Sequence, residues 1–368
     1  MCRELDGMPL AIELAAARVE MFSVQQIAAH LTDRFRLLAN GFRTAAPRHQ
    51  TLWAVVAWSY ALLDEPQQRL LTSLSVFAGW TLEAAEAITA APGLAGADVS
   101  VALGQLIAAS LVEVEHRDGH RRYRLLETIR QFAAEQLHRS ADQERRIRTR
   151  HRDWYLDLAE RFSQSIPGSA ENEAMDLLEA ELGNLRRALD SCSSDSSGLE
   201  PGMRAAGRLW WFWYTRSHWT EARGHLERFL AQSTLHQQSA ARAEVLFALG
   251  SILRNQGELE AARALLQESL TIQRVLGDPS GQALVLSELG RVVRAVGEYD
   301  SAWVMLEESR ALYEQLGNHR RMTRQLNGLG ALARMRGDLD RAQEWCERSL
   351  SLNRSTQDHM GMWIDWCH

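Results

Sequence analysis

Lysine is missing from this sequence: all 41 of its basic residues are arginine. A standard P-loop needs a lysine ammonium group on the β- and γ-phosphates of the nucleotide, and Schiff-base and serine–lysine chemistry need a lysine amine. The sequence also lacks a nucleophile elbow, an H-E-x-x-H motif and a glycine-rich phosphate loop, and its 12 histidines do not cluster. We therefore expect that this chain alone is not an enzyme and holds neither a metal nor a cofactor.

Cysteine and long apolar runs are also scarce. The cysteines are far apart, with no C-x-x-C and no histidine at ligand spacing; they are Cys2, Cys192, Cys346 and Cys367. This pattern favours free thiols in a reducing compartment. No apolar run approaches the roughly eighteen residues of a transmembrane helix, and the N-terminus lacks the pattern of a signal peptide. We expect a cytoplasmic location and no association with membranes.

The bulk composition is that of a globular protein with more than one domain. The chain has 368 residues, of which 46% are hydrophobic and 24% charged, with a formal net charge of −6. Such a length corresponds to about two or three domains, each able to bury a normal core. The negative net charge argues against a surface built as a whole for nucleic acid or anionic membranes.

The first predicted part spans residues 1–40 and is helical. Its segment PLAIELAAARVE favours a helix, with Pro9 at the first helical position. Ser23 is expected to cap a second helix, with Gln26 as its capping-box partner. Residues 39–49 break the pattern and indicate a linker.

The second predicted part spans residues 41–137. It begins with amphipathic helices, two of them capped by Asp64 and Thr81, followed by a small loop over 90–98 and the helix VSVALGQLIAASL. The alternating segments LVEVEH and RRYRLL flank the turn RDGH and predict a β-hairpin, and ETIRQFAAEQL predicts a closing helix. Several helices followed by a hairpin are typical of a winged-helix domain.

A highly charged helical linker is predicted over residues 138–200. Its segments HRDWYLDLAERF and EAMDLLEAELGNLRRALD show apolar residues at helical spacing. The stretch SCSSDSSGLEPG over 191–202 is rich in serine, glycine and proline, and it predicts a loop at a domain boundary.

Residues 201–368 repeat with a period of forty. Three sets of small residues recur at this spacing: Gly250, Gly290 and Gly330; Gly257, Gly297 and Gly337; and Ala262, Ala302 and Ala342. Such a period predicts a stacked α-solenoid of helical hairpins. The first glycine set is expected where two helices pack too closely for a Cβ, the second where the first helix ends with φ > 0, and the alanines where the second helix packs on the first. The final segment GMWIDWCH falls inside the expected next unit, so we expect a truncated solenoid.

This glycine and alanine pattern resembles the tetratricopeptide repeat (TPR), whose usual unit has about 34 residues. About six extra residues per unit lie around LGDPS and LGNHR, which we expect to lengthen the loops between repeats. Arg274 stands where the family's late proline is usual. The fold expected for the whole chain is mainly α: a helical lid remnant, a winged helix with one β-hairpin, a helical linker and a TPR-like solenoid.

The order of motifs resembles STAND-class signalling ATPases with an NB-ARC module, in particular actinobacterial regulators related to the SARP and LuxR-type proteins. The segments that carry the resemblance are CRELDGMPLAIELAAARV, SVQQIAAHLTDRFRLL, RHQTLWAVVAWSYALLDEPQQRLLTSLSVFAGWTLEAAEAI, YRLLETIRQFAAEQL, LLEAELGNLRRALD and the TPR tail. The resemblance implies ADP or ATP binding in the full-length family, with the P-loop part missing from this chain. It also implies that Gly7 and Pro9 form a GxP motif whose proline packs on the adenine, a vestige in this chain. From the residues alone, the alternative is that Pro9 simply starts a helix.

The resemblance further implies a phosphate-sensing histidine late in the winged helix, but Leu126 stands at that place. A leucine side chain cannot donate a hydrogen bond to phosphate. The neighbouring Glu127 is a weak cofactor-binding candidate, and a helix-starting carboxylate favoured by the helix dipole is the simpler interpretation.

An aromatic cluster near the start of the solenoid is a candidate partner-binding site. It contains Trp210, Trp211, Trp213 and Trp219. Aromatic residues anchor protein interfaces, but they also form ordinary cores, and the core interpretation is the simpler one.

The expected function is regulatory. The TPR face is expected to bind a protein or peptide, or to pack on the winged helix in an inactive state, and self-association is a further possibility. One alternative is a DNA-binding regulator, because residues 121–152 contain ten arginines against four acidic residues. We favour it less, since arginines on charged helices are usually solvated or paired. A second alternative is that the chain is part of an ATPase whose P-loop lies upstream.

Overall fold

The computed structural model describes residues 52–90, 96–117, 120–165, 171–194, 197–233 and 238–356, together with Gln26. The predicted helices of residues 1–40 lie outside these ranges, as do Gly7 and Pro9. The chain divides into two compact units. Unit 1 comprises Met1–Leu158 and Ser169–Ser191, and unit 2 comprises Ala159–Gly168 and Cys192–His368.

Unit 1 contains the predicted helices and hairpin in the predicted order. Its elements are α1 (Leu52–Ala61), α2 (Glu65–Leu74), α3 (Leu82–Thr89), α4 (Gly96–Ala108), β1 (Glu113–Arg117), β2 (His120–Arg124) and α5 (Glu127–His138). The two strands are antiparallel, with Val114 opposite Tyr123. Two long helices follow, α6 (Ala141–Ser165) and α7 (Glu171–Ser194).

Local sequence signals begin the helices of unit 1. Asp64 accepts a hydrogen bond from the Gln67 amide at 2.9 Å, and the Gln67 side chain accepts one from the Asp64 amide at 3.0 Å, which forms a capping box. Thr81 caps α3 by accepting from the Ala84 amide. These side chains satisfy amides that the helix itself leaves without partners.

The core of unit 1 lies between α2, α5 and the hairpin. Trp80 is fully buried and pairs with Tyr123 of β2 through two backbone hydrogen bonds of 2.9 Å each. Phe77 packs against Trp80 with ring centroids 5.6 Å apart. Trp80 therefore joins the hairpin through an isolated β-bridge, although the sequence shows no separate strand there.

Unit 2 is made mainly of consecutive helices, most of which pack on their neighbours along the chain. They are α8 (Leu199–Arg208), α9 (Trp210–Thr215), α10 (Trp219–Gln232), α11 (Ala240–Asn255), α12 (Leu259–Leu276), α13 (Pro279–Val296), α14 (Tyr299–Gln315), α15 (His319–Met335) and α16 (Leu339–Thr356). The fold is thus mainly α with a TPR-like solenoid, as the forty-residue period predicts. Across the described residues, none of the helices is both long and apolar enough to cross a bilayer.

The prediction of a loop over residues 191–202 was wrong at both ends. Helix α7 continues to Ser194, and α8 begins at Leu199. Cys192 is fully buried, and a Cβ added to Gly202 would lie only 2.5 Å from its Cβ. Close packing between these two positions stabilises helix in a stretch that serine and glycine propensities alone would leave as loop.

The expectation of longer loops between repeats was also wrong. Helix α12 runs to Leu276 and α13 begins at Pro279, so only two residues separate them. Gly277 ends α12 in the left-handed conformation (φ +65°), and Asp278 caps α13 by accepting from the Ser280 amide at 3.0 Å. The extra residues lengthen the helices instead. Because Arg274 is not a proline, its backbone N–H is retained and α12 continues past it.

Two of the three packing glycines lie where a side chain would collide. An added Cβ would be 2.7 Å from Leu266 Cγ at Gly250 and 2.8 Å from Leu306 Cδ2 at Gly290. At Gly330 the nearest atom is the Cys346 sulfur, 3.3 Å away. Hence the third repeat has more space at this point than the other two.

The other repeated positions also have defined places. Gly257, Gly297 and Gly337 follow the first helices with φ of +83°, +95° and +78°. Ala262 and Ala302 are fully buried, whereas Ala342 is half-buried.

A repeated serine joins the second helix of a repeat to the first. Ser269 Oγ donates to the Ala243 carbonyl at 2.8 Å, and Ser309 Oγ donates to the Ala283 carbonyl at 2.7 Å. Both serines are fully buried, so each hydrogen bond satisfies a hydroxyl that would otherwise be costly to bury.

Candidate functional site

Unit 1 contains a buried polar cluster that we call the linker clamp. It consists of Glu181, Asn184 and Arg187 of α7 with His151 of α6, and it surrounds residues 76–80. The clamp lies in the segment LLEAELGNLRRALD, one of those that carry the family resemblance. It was not recognised from the sequence, because Asn184 and its backbone partners are more than a hundred residues apart.

Asn184 is the centre of the clamp and is 1% exposed. Its Oδ1 accepts from the Ala78 amide at 2.7 Å, and its Nδ2 donates to the Gly79 carbonyl at 2.7 Å. Nδ2 also donates to Glu181 Oε2 at 2.7 Å. Since one backbone partner can only donate and the other can only accept, the orientation of the amide is determined by its surroundings.

Charged groups complete the clamp on either side of Asn184. Glu181 pairs with Arg122 of β2, and Arg187 donates to the Val76 carbonyl at 2.9 Å. Gly183 lets α7 approach closely, because a Cβ there would lie 2.8 Å from Ala78 Cβ. Helix α7 is therefore fastened to the winged-helix domain by hydrogen bonds, an ion pair and close packing.

His151 contributes a buried imidazole to the clamp. Its Nε2 lies 3.4 Å from Asn184 Oδ1, and its ring packs edge-on against Phe77. Burial lowers the pKa of His151 from 6.5 to about 4, against the opposing hydrogen bond with Asn184, and the charges of Arg187 and Arg148 lower it further. At neutral pH His151 is therefore uncharged and donates from Nε2.

Glu127 lies at the start of α5, where the sequence places it. Its carboxylate accepts two hydrogen bonds from Arg130, at 2.5 and 2.7 Å, and one from Gln131. Leu126 occupies the N-cap position without a side-chain hydrogen bond. The Glu127 carboxylate, a weak candidate for cofactor binding, is thus engaged in an ion pair within its own helix.

Most arginines of the 121–152 segment have partners within unit 1. Ion pairs join Arg122, Arg124, Arg130, Arg145, Arg148 and Arg152 to carboxylates, and Arg150 donates to the Ala90 carbonyl. The excess of arginine over acidic residues in this segment is therefore partly offset by carboxylates such as Glu113 and Glu181.

Helix α4 occupies the recognition position of the winged helix, directly before the hairpin. Its sequence GADVSVALGQLIA contains no arginine, and Asp98 is its only charged residue. Val101, Gly104 and Ala108 are exposed along it. The helix that would enter a major groove therefore has no cation with which to contact phosphates.

Unit 2 carries a second polar surface that we call the arginine face. It is defined by Trp211, Tyr214, Arg254, Arg291, Arg294, Arg324 and Arg334, all on the first helices of their repeats. The guanidinium of Arg324 lies 5.8 Å from the centre of the Trp211 ring, although α9 and α15 are three repeats apart. Such a contact requires that the first helices line the inner side of the solenoid curve.

Two arginines of this face share one carboxylate. Glu288 is 4% exposed and pairs with both Arg254 and Arg291, the latter at 3.0 Å. Arg294 has no carboxylate partner among the residues that the structure describes. Partial burial, together with the charges of Arg291 and Arg254, lowers the pKa of Arg294.

The four candidate tryptophans occupy different environments. Trp213 is 1% exposed and stacks on His225, whereas Trp210, Trp211 and Trp219 are half-buried. Trp211 stacks on Tyr214 with ring centroids 5.5 Å apart, and Trp219 Nε1 donates to the Tyr214 carbonyl. Of the four, Trp211 contributes its ring to the arginine face. Within the described part of the chain, histidine, cysteine and carboxylate side chains form no group that could hold a metal ion.

Comparison with protein families identifies two domains. Residues 63–138 match the winged helix-turn-helix domain, and residues 239–315 match the tetratricopeptide repeat. The first match includes α2 to α5 with the hairpin, and the second includes α11 to α14.

One relative, from Mycobacterium tuberculosis strain H37Rv, is provisionally named as an HTH-type transcriptional regulator. It is 37% identical over 291 residues, covering 76% of this chain and 32% of the relative. A second, uncharacterized protein is 44% identical over 144 residues, covering 39% of this chain and 37% of its own length. This chain thus spans about a third of the length of the curated relatives it matches.

Among solved structures, a STAND protein with a tetratricopeptide repeat sensor from Pyrococcus horikoshii is similar at 16% identity. The alignment covers 96% of this chain and 67% of that chain, with a TM-score of 0.32.

Proposed function

We propose that this chain is the sensor and coupling part of a STAND-type transcriptional regulator. In this proposal the TPR solenoid binds a protein or peptide in the cytoplasm. The winged helix and helical linker transmit that event to a nucleotide-binding module, which in this class lies upstream. The winged-helix and TPR matches and the likeness to a named HTH-type regulator support the regulatory part of the proposal.

The linker clamp is the observation that carries the coupling role. A winged helix that reads DNA needs its recognition helix free and cationic, whereas one used for packing needs firm attachment to its neighbours. Here Asn184 and Arg187 of α7 bond to the backbone of the winged-helix domain. A displacement of α7 would therefore move residues 76–80 with it.

DNA binding by this winged helix is the less favoured alternative. Helix α4 has no arginine, and most arginines of 121–152 are already paired, so few are left to replace counterions on a duplex. The ATPase alternative concerns a longer protein, since this chain contains no lysine for a P-loop.

A selection experiment distinguishes these functions. Random peptides displayed on phage are selected on the immobilised chain and counter-selected on its Trp211→Ala variant, while a labelled mixed-sequence DNA duplex is titrated at low salt. We expect peptides that require Trp211 and no saturable DNA binding. Saturable DNA binding with a steep salt dependence, and no enriched peptides, would overturn the proposal.

A further inference from the structure

Arginines recur at one position of the repeat on the inner side of the solenoid. Arg254, Arg294 and Arg334 stand forty residues apart, so they occupy the same place in three consecutive first helices. A row of guanidinium groups at repeat spacing presents regularly placed donors for carboxylates or phosphates.

The carboxylate that neutralises this row does not recur. Glu288 pairs with Arg254, but the residue forty positions further along the chain is Gly328. Arg294 is consequently left without the partner that Arg254 has, while Arg291 and Arg254 surround it with positive charge. Arg254 and Arg291 thus share the carboxylate of Glu288, and Arg294 pairs with no carboxylate of the described residues.

We propose that the arginine face binds an acidic segment of a partner protein, with Arg294 donating to an aspartate or glutamate side chain of that segment. The proposal rests on the proposed function, because it assigns a chemical class to the partner of the solenoid. Arg294 is half-buried, so an ion pair formed there is less screened by water than one at the open surface.

A peptide suits this face better than a nucleic acid. Single strands are bound by aromatic platforms on which successive bases stack. The two aromatic rings of the face, Trp211 and Tyr214, are stacked on each other, so each has one face covered. An acidic peptide needs only the guanidinium donors of the face.

The test uses two labelled peptides and the full chain. In the first peptide glutamate alternates with alanine, and in the second glutamine replaces every glutamate. We expect fluorescence anisotropy to show binding of the glutamate peptide alone, weakening as salt is raised. Arg294→Gln should weaken it by about tenfold or more, since a charge-assisted hydrogen bond is lost. Arg274→Gln is the matched control: Arg274 is an exposed arginine on a second helix that pairs with Glu308 of the next repeat.

A variant that binds the glutamate peptide more tightly than the wild type is a further test, because a misfolded variant would lose affinity for the peptide. Glu288→Gln keeps the side-chain shape but removes the carboxylate that pairs with Arg254 and Arg291, so the glutamate peptide should bind more tightly. Equal weakening by Arg294→Gln and Arg274→Gln would overturn the proposal, as would absence of binding at low salt. Tighter binding of a labelled single-stranded oligonucleotide would also overturn it. If selected peptides require Trp211 but are not acidic, the proposed function stands and the acidic class alone fails.

Discussion

At the scale of single residues, Asn184 determines how the linker attaches to the winged-helix domain. One amide satisfies the Ala78 N–H, the Gly79 carbonyl and Glu181, and it also faces His151. Asn184, Glu181 and His151 are buried, so losing the amide would leave polar groups without partners away from water.

Replacing this amide should therefore destabilise unit 1. We expect Asn184→Ala to lower the free energy of unfolding by about 2–3 kcal/mol, because buried donors and acceptors lose their partners. The control is Gln131→Ala, whose amide bonds to the partly exposed Glu127 and which should change stability by about 0.5 kcal/mol or less. Urea unfolding monitored by circular dichroism measures both. Equal effects of the two substitutions would contradict the role of the clamp.

His151 should make the folded state sensitive to acid. Since its pKa is lowered to about 4, the unfolded chain binds a proton between pH 6.5 and 4 that the folded chain does not. Its contribution to stability is complete above pH 6.5, falls through this window by up to about 3 kcal/mol, and levels off below it.

Unfolding at neutral pH and near pH 4 checks this expectation in wild type and His151→Gln. The variant keeps an N–H donor but cannot titrate, so its stability should fall less on acidification. His116→Gln, at an exposed strand position, should behave like the wild type. An unchanged pH dependence in His151→Gln would exclude a buried neutral imidazole.

At the scale of helices and turns, the two small-residue positions of the repeat have different physical causes. Gly257, Gly297 and Gly337 adopt positive φ at the ends of first helices, which is a local requirement. Gly250 and Gly290 instead avoid a collision with a leucine of the second helix, which is a packing requirement.

The packing requirement predicts unequal effects of the same substitution in two repeats. Alanine at either position gains helix propensity, but at Gly290 its Cβ would press on buried Leu306, whereas at Gly330 it meets only the Cys346 sulfur at 3.3 Å. We expect Gly290→Ala to be less stable than Gly330→Ala by about 1–3 kcal/mol. Thermal and urea unfolding of the pair measure the difference, and equal stabilities would show that the second helices adjust freely.

At the scale of the whole molecule, the absence of lysine predicts that the chain does not turn over nucleotide. We expect the purified protein to release no phosphate from ATP, because no side chain can supply the P-loop ammonium group. A phosphate-release assay across successive purification columns is the measurement. Activity that co-elutes with the protein on every column would contradict the prediction.

The sequence by itself determined the features that depend on neighbouring residues. Asp64 and Thr81 cap the helices they precede, the two alternating segments pair as antiparallel strands, and the forty-residue period defines the solenoid. These signals act over a few residues or repeat regularly, so a linear pattern is enough to show them.

Only the tertiary structure decided the features that join distant residues. Burial of Cys192 against Gly202 extended helix through a serine-rich stretch. The linker clamp and the arginine face likewise bring together side chains from separate helices. Their partners are chosen by packing and by the need to satisfy buried polar groups, which no local pattern records.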